Sequence, residues 1–151
     1  GIAVKAGSAR PTIQTRADLQ AAFRAAEGIY FPDPKLATAG IHFFKVLQTL
    51  GLDVELVDRF RTFPNGATAM AAMAKDTGAH LIGCTQVTEI KYTAGIDLIG
   101  LLPQEFELAT VYALGISTTA QQPELAQQLA QLLTGSSTRE LRIAGGFELQ
   151  D

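Results

Sequence analysis

Two stretches of very small residues, Thr38-Ala39-Gly40 and Asn65-Gly66-Ala67, stand where a strand-like run gives way to a helix-like one. The first turn of a helix carries N–H groups without partners inside the helix, and the helix dipole puts positive charge behind them. Small side chains let a ligand reach that backbone, so each stretch is a candidate anion seat that needs no cationic side chain. A protein that must release its cargo gains more from such neutral donors than from an arginine clamp. The plainer reading of the same residues is ordinary Gly/Ala capping, which many α/β domains use.

The other residues with chemical potential do not assemble into a pattern. The sequence has no Gly-rich nucleotide loop, nucleophile elbow, zinc spacing or EF-hand loop. His42 and His80 lie far apart, and neither sits in a metal-ligand spacing. Cys84 and His80 would share one face of a strand, but four residues of strand separate their Cα atoms by about 13 Å, far beyond a thiol–imidazole hydrogen bond. Cys84 therefore reads as a small buried sulfur. Met70 and Met73 read as the inward face of a helix. Asp53, Glu55 and Asp58 read as solubilising carboxylates, and Arg59-Phe60-Arg61 as a solvated strand end. On these grounds no catalytic residue, metal or cofactor is expected, and the chain is read as a binding protein rather than an enzyme.

Composition narrows the partners. The 151 residues are 47% hydrophobic with a net charge of −3, enough for one α/β domain with a core, or for one lobe and part of another. An acidic balance gives no field to hold phosphate backbones, so nucleic acid is not expected as a partner. The single cysteine cannot form an internal disulfide and says nothing about compartment. Gly1–Gly7 has neither a basic nor a long apolar region, so it is not read as a signal peptide. The chain opens directly on a strand, as a fragment would.

Strand-like and helix-like runs alternate. Ile2–Val4 reads as a strand, and Thr15 with Asp18 as a capping box opening a helix with Leu19, Ala22, Phe23 and Ala26 on one face. Gly28–Phe31 is a short strand, ended by Pro32-Asp33-Pro34. A helix with Phe43, Leu47 and Leu50 inward stops at Gly51. Leu52–Arg59 is expected as the next strand, and Pro64-Asn65-Gly66 as the turn opening a third helix. Leu81–Thr85, Ile96–Leu102 and Leu108–Ile116 are further expected strands. Pro123 opens a helix with Leu125, Leu129, Leu132 and Leu133, stopped by Gly135, and Ser137 with Glu140 opens a last one closed by Gly145-Gly146. The alternation predicts a doubly wound, mostly parallel sheet, with any ligand beyond the carboxyl ends of its strands.

At these residues the chain resembles the molybdate-binding family of periplasmic solute-binding proteins. Gly1–Gly7 looks like the family's hinge strand, and Asp33-Pro34 with Ala39-Gly40 like its aspartate-proline and proline-alanine-glycine stretch. Leu81 through Ile90 looks like its returning segment, and Leu102-Pro103 with Thr110–Ile116 like the strand that crosses back. The Pro123 helix and Gly145-Gly146-Phe147-Glu148 look like its C-terminal helices and closing motif. The similarity runs over essentially the whole chain, in order.

The resemblance implies a periplasmic-binding-protein-like fold of type II: a hinge strand at 1–8, a ligand-binding lobe at 9–106, and a return strand with C-terminal helices at 107–151. A first lobe of roughly 80 to 100 residues would lie outside this chain. It implies an oxyanion such as molybdate, tungstate or sulfate held near Thr38, Ala39, Gly40, Asn65, Gly66, Ala67 and Gln86. Two residues depart from the family: Thr38 stands where proline is usual, and Gln86 where a tyrosine hydroxyl touches the anion. The implied role is the solute-binding component of an ABC importer, periplasmic, with the importer's permease as partner. The alternative is the effector-sensing module of a transcriptional regulator, which reuses the same bilobal fold. Two expectations follow from the bilobal layout: Ile2–Val4 and Leu108–Ile116 should lie side by side, and the leucine face of the Pro123 helix should pair with a second copy of the chain.

Overall fold

A computed structural model describes residues 1–149; the last two residues of the expected 107–151 segment lie outside that description. The chain divides into two units, Gly1–Leu108 and Ala109–Asp151. The first is built on five strands: β1 (Ile2–Lys5), β2 (Gly28–Pro32), β3 (Phe60–Phe63), β4 (Leu81–Cys84) and β5 (Ile96–Gly100). Its helices are α1 (Arg16–Ala25), α2 (Thr38–Thr49), α3 (Gly66–Lys75) and α4 (Val87–Tyr92). The strands lie in the order β3-β2-β4-β1-β5. β2 runs parallel to both β3 and β4, whereas β1 runs antiparallel to β4 and β5. The α/β fold is the one that the alternation predicted with a mostly parallel sheet; β1 adds the two antiparallel pairings.

The period of two along each strand sorts the core into two layers. Ile2 and Val4 of β1, Ile29 and Phe31 of β2, and Ile82 and Cys84 of β4 point to one face. There they meet Leu19 and Phe23 of α1 and Phe43, Val46 and Leu47 of α2. Phe43 takes Phe23 and Phe31 edge-on, at ring distances of 5.5 and 5.1 Å. The intervening Ala3, Tyr30 and Leu81 point to the other face, against Ala69, Met70 and Met73 of α3 and Ile90 of α4. Both methionines are therefore core.

Thr15 caps α1 as the sequence predicts: its hydroxyl accepts from Asp18 N–H, and the Asp18 carboxylate accepts from Thr15 N–H. The expected strand Leu52–Arg59 is corrected. Those residues form turns and a short 3₁₀ segment, Val57–Arg59, and the strand begins only at Phe60. The physical signal is a spacing of four. Leu52 and Leu56 are both buried and joined by a Leu56 N–H to Leu52 carbonyl bond, while Val54 between them is 80% exposed. A strand would have put all three on one face. Ile96–Leu102 shortens to Ile96–Gly100. Helix α4, between β4 and β5, was not foreseen.

The second unit holds α5 (Pro123–Thr134), a 3₁₀ turn at Ser136–Thr138, and α6 (Arg139–Gly145). Pro123 opens α5 at its first turn, and Gly146 closes α6 in the left-handed conformation, φ 98°. Arg142 ties the two helices by donating to the carbonyls of Thr134 and Gly135, each at 2.8 Å. Leu108–Ile116 forms no strand, a second correction. Its β-branched and aromatic residues supply propensity but no ladder partner, and Val111, Tyr112, Leu114 and Ile116 remain exposed. β4 and β5 occupy both edges of β1, so Ile2–Val4 keeps no free ladder edge for the strand expected beside it. No described helix is long and apolar enough to cross a membrane.

Candidate functional site

The parallel register fixes where the small-residue stretches meet. Pro32 at the end of β2 stands beside Phe63 at the end of β3, and Tyr30 of β2 beside Gly83 of β4. Three neighbouring strands thus end along one edge of the sheet, and α2, α3 and α4 all begin there. Asp33 N–H donates to the Phe63 carbonyl at 2.6 Å, joining the first two loops. Thr38, Ala39 and Gly40 form the first turn of α2, Asn65 caps α3 ahead of Gly66 and Ala67, and Gln86 caps α4. All seven residues singled out from the sequence therefore lie at that edge.

The two longer helix starts differ in what holds them. Ala37, the residue before α2, offers no side-chain hydrogen bond to its first turn. Asp33 instead spends its carboxylate on the N–H groups of Lys35 and Leu36, before the helix begins. Gly40 is buried where α2 presses on the end of β2; a Cβ there would stand 2.3 Å from the carbonyl oxygens of Pro32 and Asp33. Only glycine lets the helix start come so close to the strand.

The start of α3 is filled from within the chain. Asn65 Oδ1 accepts from the N–H and hydroxyl of Thr68, at 2.8 and 2.9 Å. Ala67 N–H donates to Glu89 Oε1 at 3.2 Å, and the Thr85 hydroxyl donates to Glu89 Oε2 at 2.5 Å. Gly66 makes room for this: a Cβ would stand 1.9 Å from Thr85 Oγ1 and 2.0 Å from Glu89 Oε2. Thr85 is only 3% exposed, the one buried polar residue among the described residues. Sequence reasoning missed Thr85 and Glu89. Glu89 sits three residues past the cap Gln86, a spacing that reads as local capping of α4. Its actual partners belong to α3 and to the end of β4.

The remaining reactive groups are structural. Cys84 is buried, and burial pushes its thiol up to about 11, far from thiolate chemistry. His42 Nε2 lies 2.7 Å from the Phe106 carbonyl, holding α2 to the loop after β5. At the opposite edge of the sheet a recess of about 160 Å³ is walled by Val4, Ala22, Ala26 and Ile82, with His80 at its rim. Arg10 on that rim is paired with Asp97 at 2.9 Å. Among the described residues no group of three or more His, Cys, Asp or Glu converges as metal ligands.

Comparison with known proteins gives the same fold and one correction. The periplasmic molybdate-binding protein of Azotobacter vinelandii superposes with a TM-score of 0.66 at 18% identity, over 99% of this chain and 65% of that one. The substrate-binding domain assigned to a molybdenum ABC transporter of Clostridium difficile gives 0.63 at 13%, over 99% and 62%. By sequence, an aconitate isomerase from a Pseudomonas species is 27% identical over 133 residues, which is 87% of this chain and 48% of that protein. The chain thus spans about half the length of the curated relative it matches. That relative carries an enzyme's name, and it overturns the reading of the chain as a binding protein that is not an enzyme. The profile of bacterial extracellular solute-binding proteins matches residues 1–148, and the likeness to solute-binding proteins read from the sequence rests on more than scattered motifs: the chain belongs to that family.

Proposed function

We propose that this chain is the ligand-holding lobe of a periplasmic solute-binding component of an ABC importer, and that its ligand is a small anion seated against the start of α2. The observation that carries this is the uncapped first turn of α2, at the carboxyl ends of adjacent parallel strands and next to the start of α3. Oriented N–H groups and the helix dipole there attract negative charge, and Gly40 lets this helix start sit close against the end of β2. The printed descriptions of its fold neighbours, both concerned with molybdenum or molybdate, support an anionic ligand. In this reading residues 9–106 hold the ligand, 1–8 and the start of 107–151 are crossings to another lobe, and the leucine face of α5 pairs with a second copy of the chain. The importer's permease is the partner that receives the ligand.

A second reading is favoured by the isomerase relative: the same cleft binds an unsaturated organic acid and interconverts its isomers. One set of experiments separates the two. Sodium molybdate, sodium sulfate, cis-aconitate and trans-aconitate are titrated into the ¹⁵N-labelled protein at its natural length, and the aconitates are then followed by proton NMR. Binding predicts that at least one anion shifts the amides of Ala39 and Gly40. Growth of the second aconitate isomer above the protein-free control supports the isomerase reading. No shift with any of the four overturns the anion site.

A further inference from the structure

The recess at the edge of the sheet away from the helix starts is built from parts that the candidate cleft does not use. We infer that it is a second binding site, for a small uncharged molecule: a carbon ring of about six atoms bearing one hydroxyl.

Its shape comes from small side chains. Val4 at the end of β1 and Ile82 at the start of β4 line the recess on the α1 face, and α1 meets them there with Ala22 and Ala26, all four buried. An alanine ends one carbon from the helix backbone, so α1 leaves open the angle between itself, the strands and the loop through Ser8 and Arg10. The space left is about 160 Å³. An apolar cavity of about 150 Å³ holds one benzene ring, so this one fits a ring of that size. Its walls offer carbon contact alone, and an ion seated there would lose its water without gaining a partner.

The mouth selects the head group. Arg10, the cation that lines it, gives its Nη2 to Asp97 at 2.9 Å. The carboxylate of Glu27, near His80, is turned to backbone and accepts from Ala79 N–H at 3.3 Å. These charges already have partners, so the mouth is not made to draw in an ion. The Ser8 hydroxyl and the His80 imidazole also line the recess, and neither has a hydrogen-bond partner among the described residues. Each can donate or accept, which an uncharged hydroxyl on the ligand matches.

The test titrates phenol, sodium benzoate and benzylammonium chloride into the ¹⁵N-labelled protein at neutral pH, where phenol is uncharged. Phenol shifts the amides of Ala22, Ala26 and Ile82 saturably and leaves Ala39 and Gly40, at the other edge, unmoved. It binds about fivefold or more tightly than either ion. Ala25→Leu and Ala79→Leu each put a larger side chain at the recess from an exposed position, and each weakens phenol about tenfold or more. The two positions lie on separate elements, so one misfolded variant leaves the other to answer. Changing Ser8 and His80 together to alanine weakens phenol about threefold or more. No saturable shift at the recess with phenol, or unchanged binding in a folded leucine variant, overturns the site. Benzoate or benzylammonium binding as tightly as phenol, or no loss on changing Ser8 and His80, overturns the uncharged hydroxyl as its ligand class.

Discussion

Gly40 and Gly66 both make room at the candidate site, but what each would strike differs. At Gly40 an added Cβ meets two backbone carbonyls at 2.3 Å, which can move only if β2 or α2 moves. At Gly66 it meets a hydroxyl and a carboxylate, and the glutamate can swing away. Gly66→Ala is therefore expected to cost roughly 1–3 kcal/mol and to free the Ala67 amide, while Gly40→Ala costs about 3 kcal/mol or more. Urea unfolding of the two variants checks the order; equal costs would refute the distinction. Tyr30 offers a pH test at the far end of α3. Its hydroxyl donates to Asp76, and burial first, then that bond, pushes the phenol up to about 12. The folded state thus holds this proton more tightly than the unfolded chain. The stability it confers is complete below about pH 10 and is lost as pH rises towards 12. Asp76 has the opposite sign: the Tyr30 hydroxyl first, then Gly78 N–H, lower its carboxyl. Its contribution is present above about pH 4 and fades in acid. Tyr30→Phe should flatten the urea midpoint between pH 10 and 12 and weaken its dependence below pH 4; an unchanged profile would show that the pair contributes nothing.

At the scale of elements, the legible parts were those whose signals are local. Thr15 and Asp18 cap α1 through bonds spanning three residues, and Thr15→Ala should cost about 1 kcal/mol, measured by chemical denaturation. Asn65 before Gly66, and Pro123 at the head of α5, likewise mark helix starts by chemistry that acts within one turn. The illegible parts depended on a partner elsewhere in the chain. Leu52 and Leu56 follow a helical spacing inside a segment whose β-branched valines suggested a strand, and burial decided for the turn. Leu108–Ile116 had strand-forming residues but no neighbour to complete a ladder. That the small-residue stretches share one edge could be read from the sequence, because βα turns must begin at the carboxyl ends of their strands. Glu89 could not, because its role is set by contacts with Ala67, two elements earlier, and with Thr85 at the end of β4.

At the scale of the molecule, α5 leaves a regular leucine face exposed. Leu125, Leu129 and Leu132 are 57, 56 and 58% exposed, and each buried leucine is worth about 1.5–3 kcal/mol. Light scattering of the chain is expected to give a dimer, and changing these three leucines to glutamine a monomer; a monomeric unaltered chain would refute the pairing. The placement of β1 has a further consequence, in time rather than in space. Ile2–Lys5 lies between β4 and β5, so its ladder bonds go to residues made long after it. During synthesis this apolar strand leaves the ribosome with both edges bare; one can close only after β4 has emerged, and the other only after β5. The loop-closure entropy then falls due late, and the sheet is complete only when β5 has joined it. Growing chains that stop short of β5 should be the aggregation-prone species in the cell, however stable the finished fold.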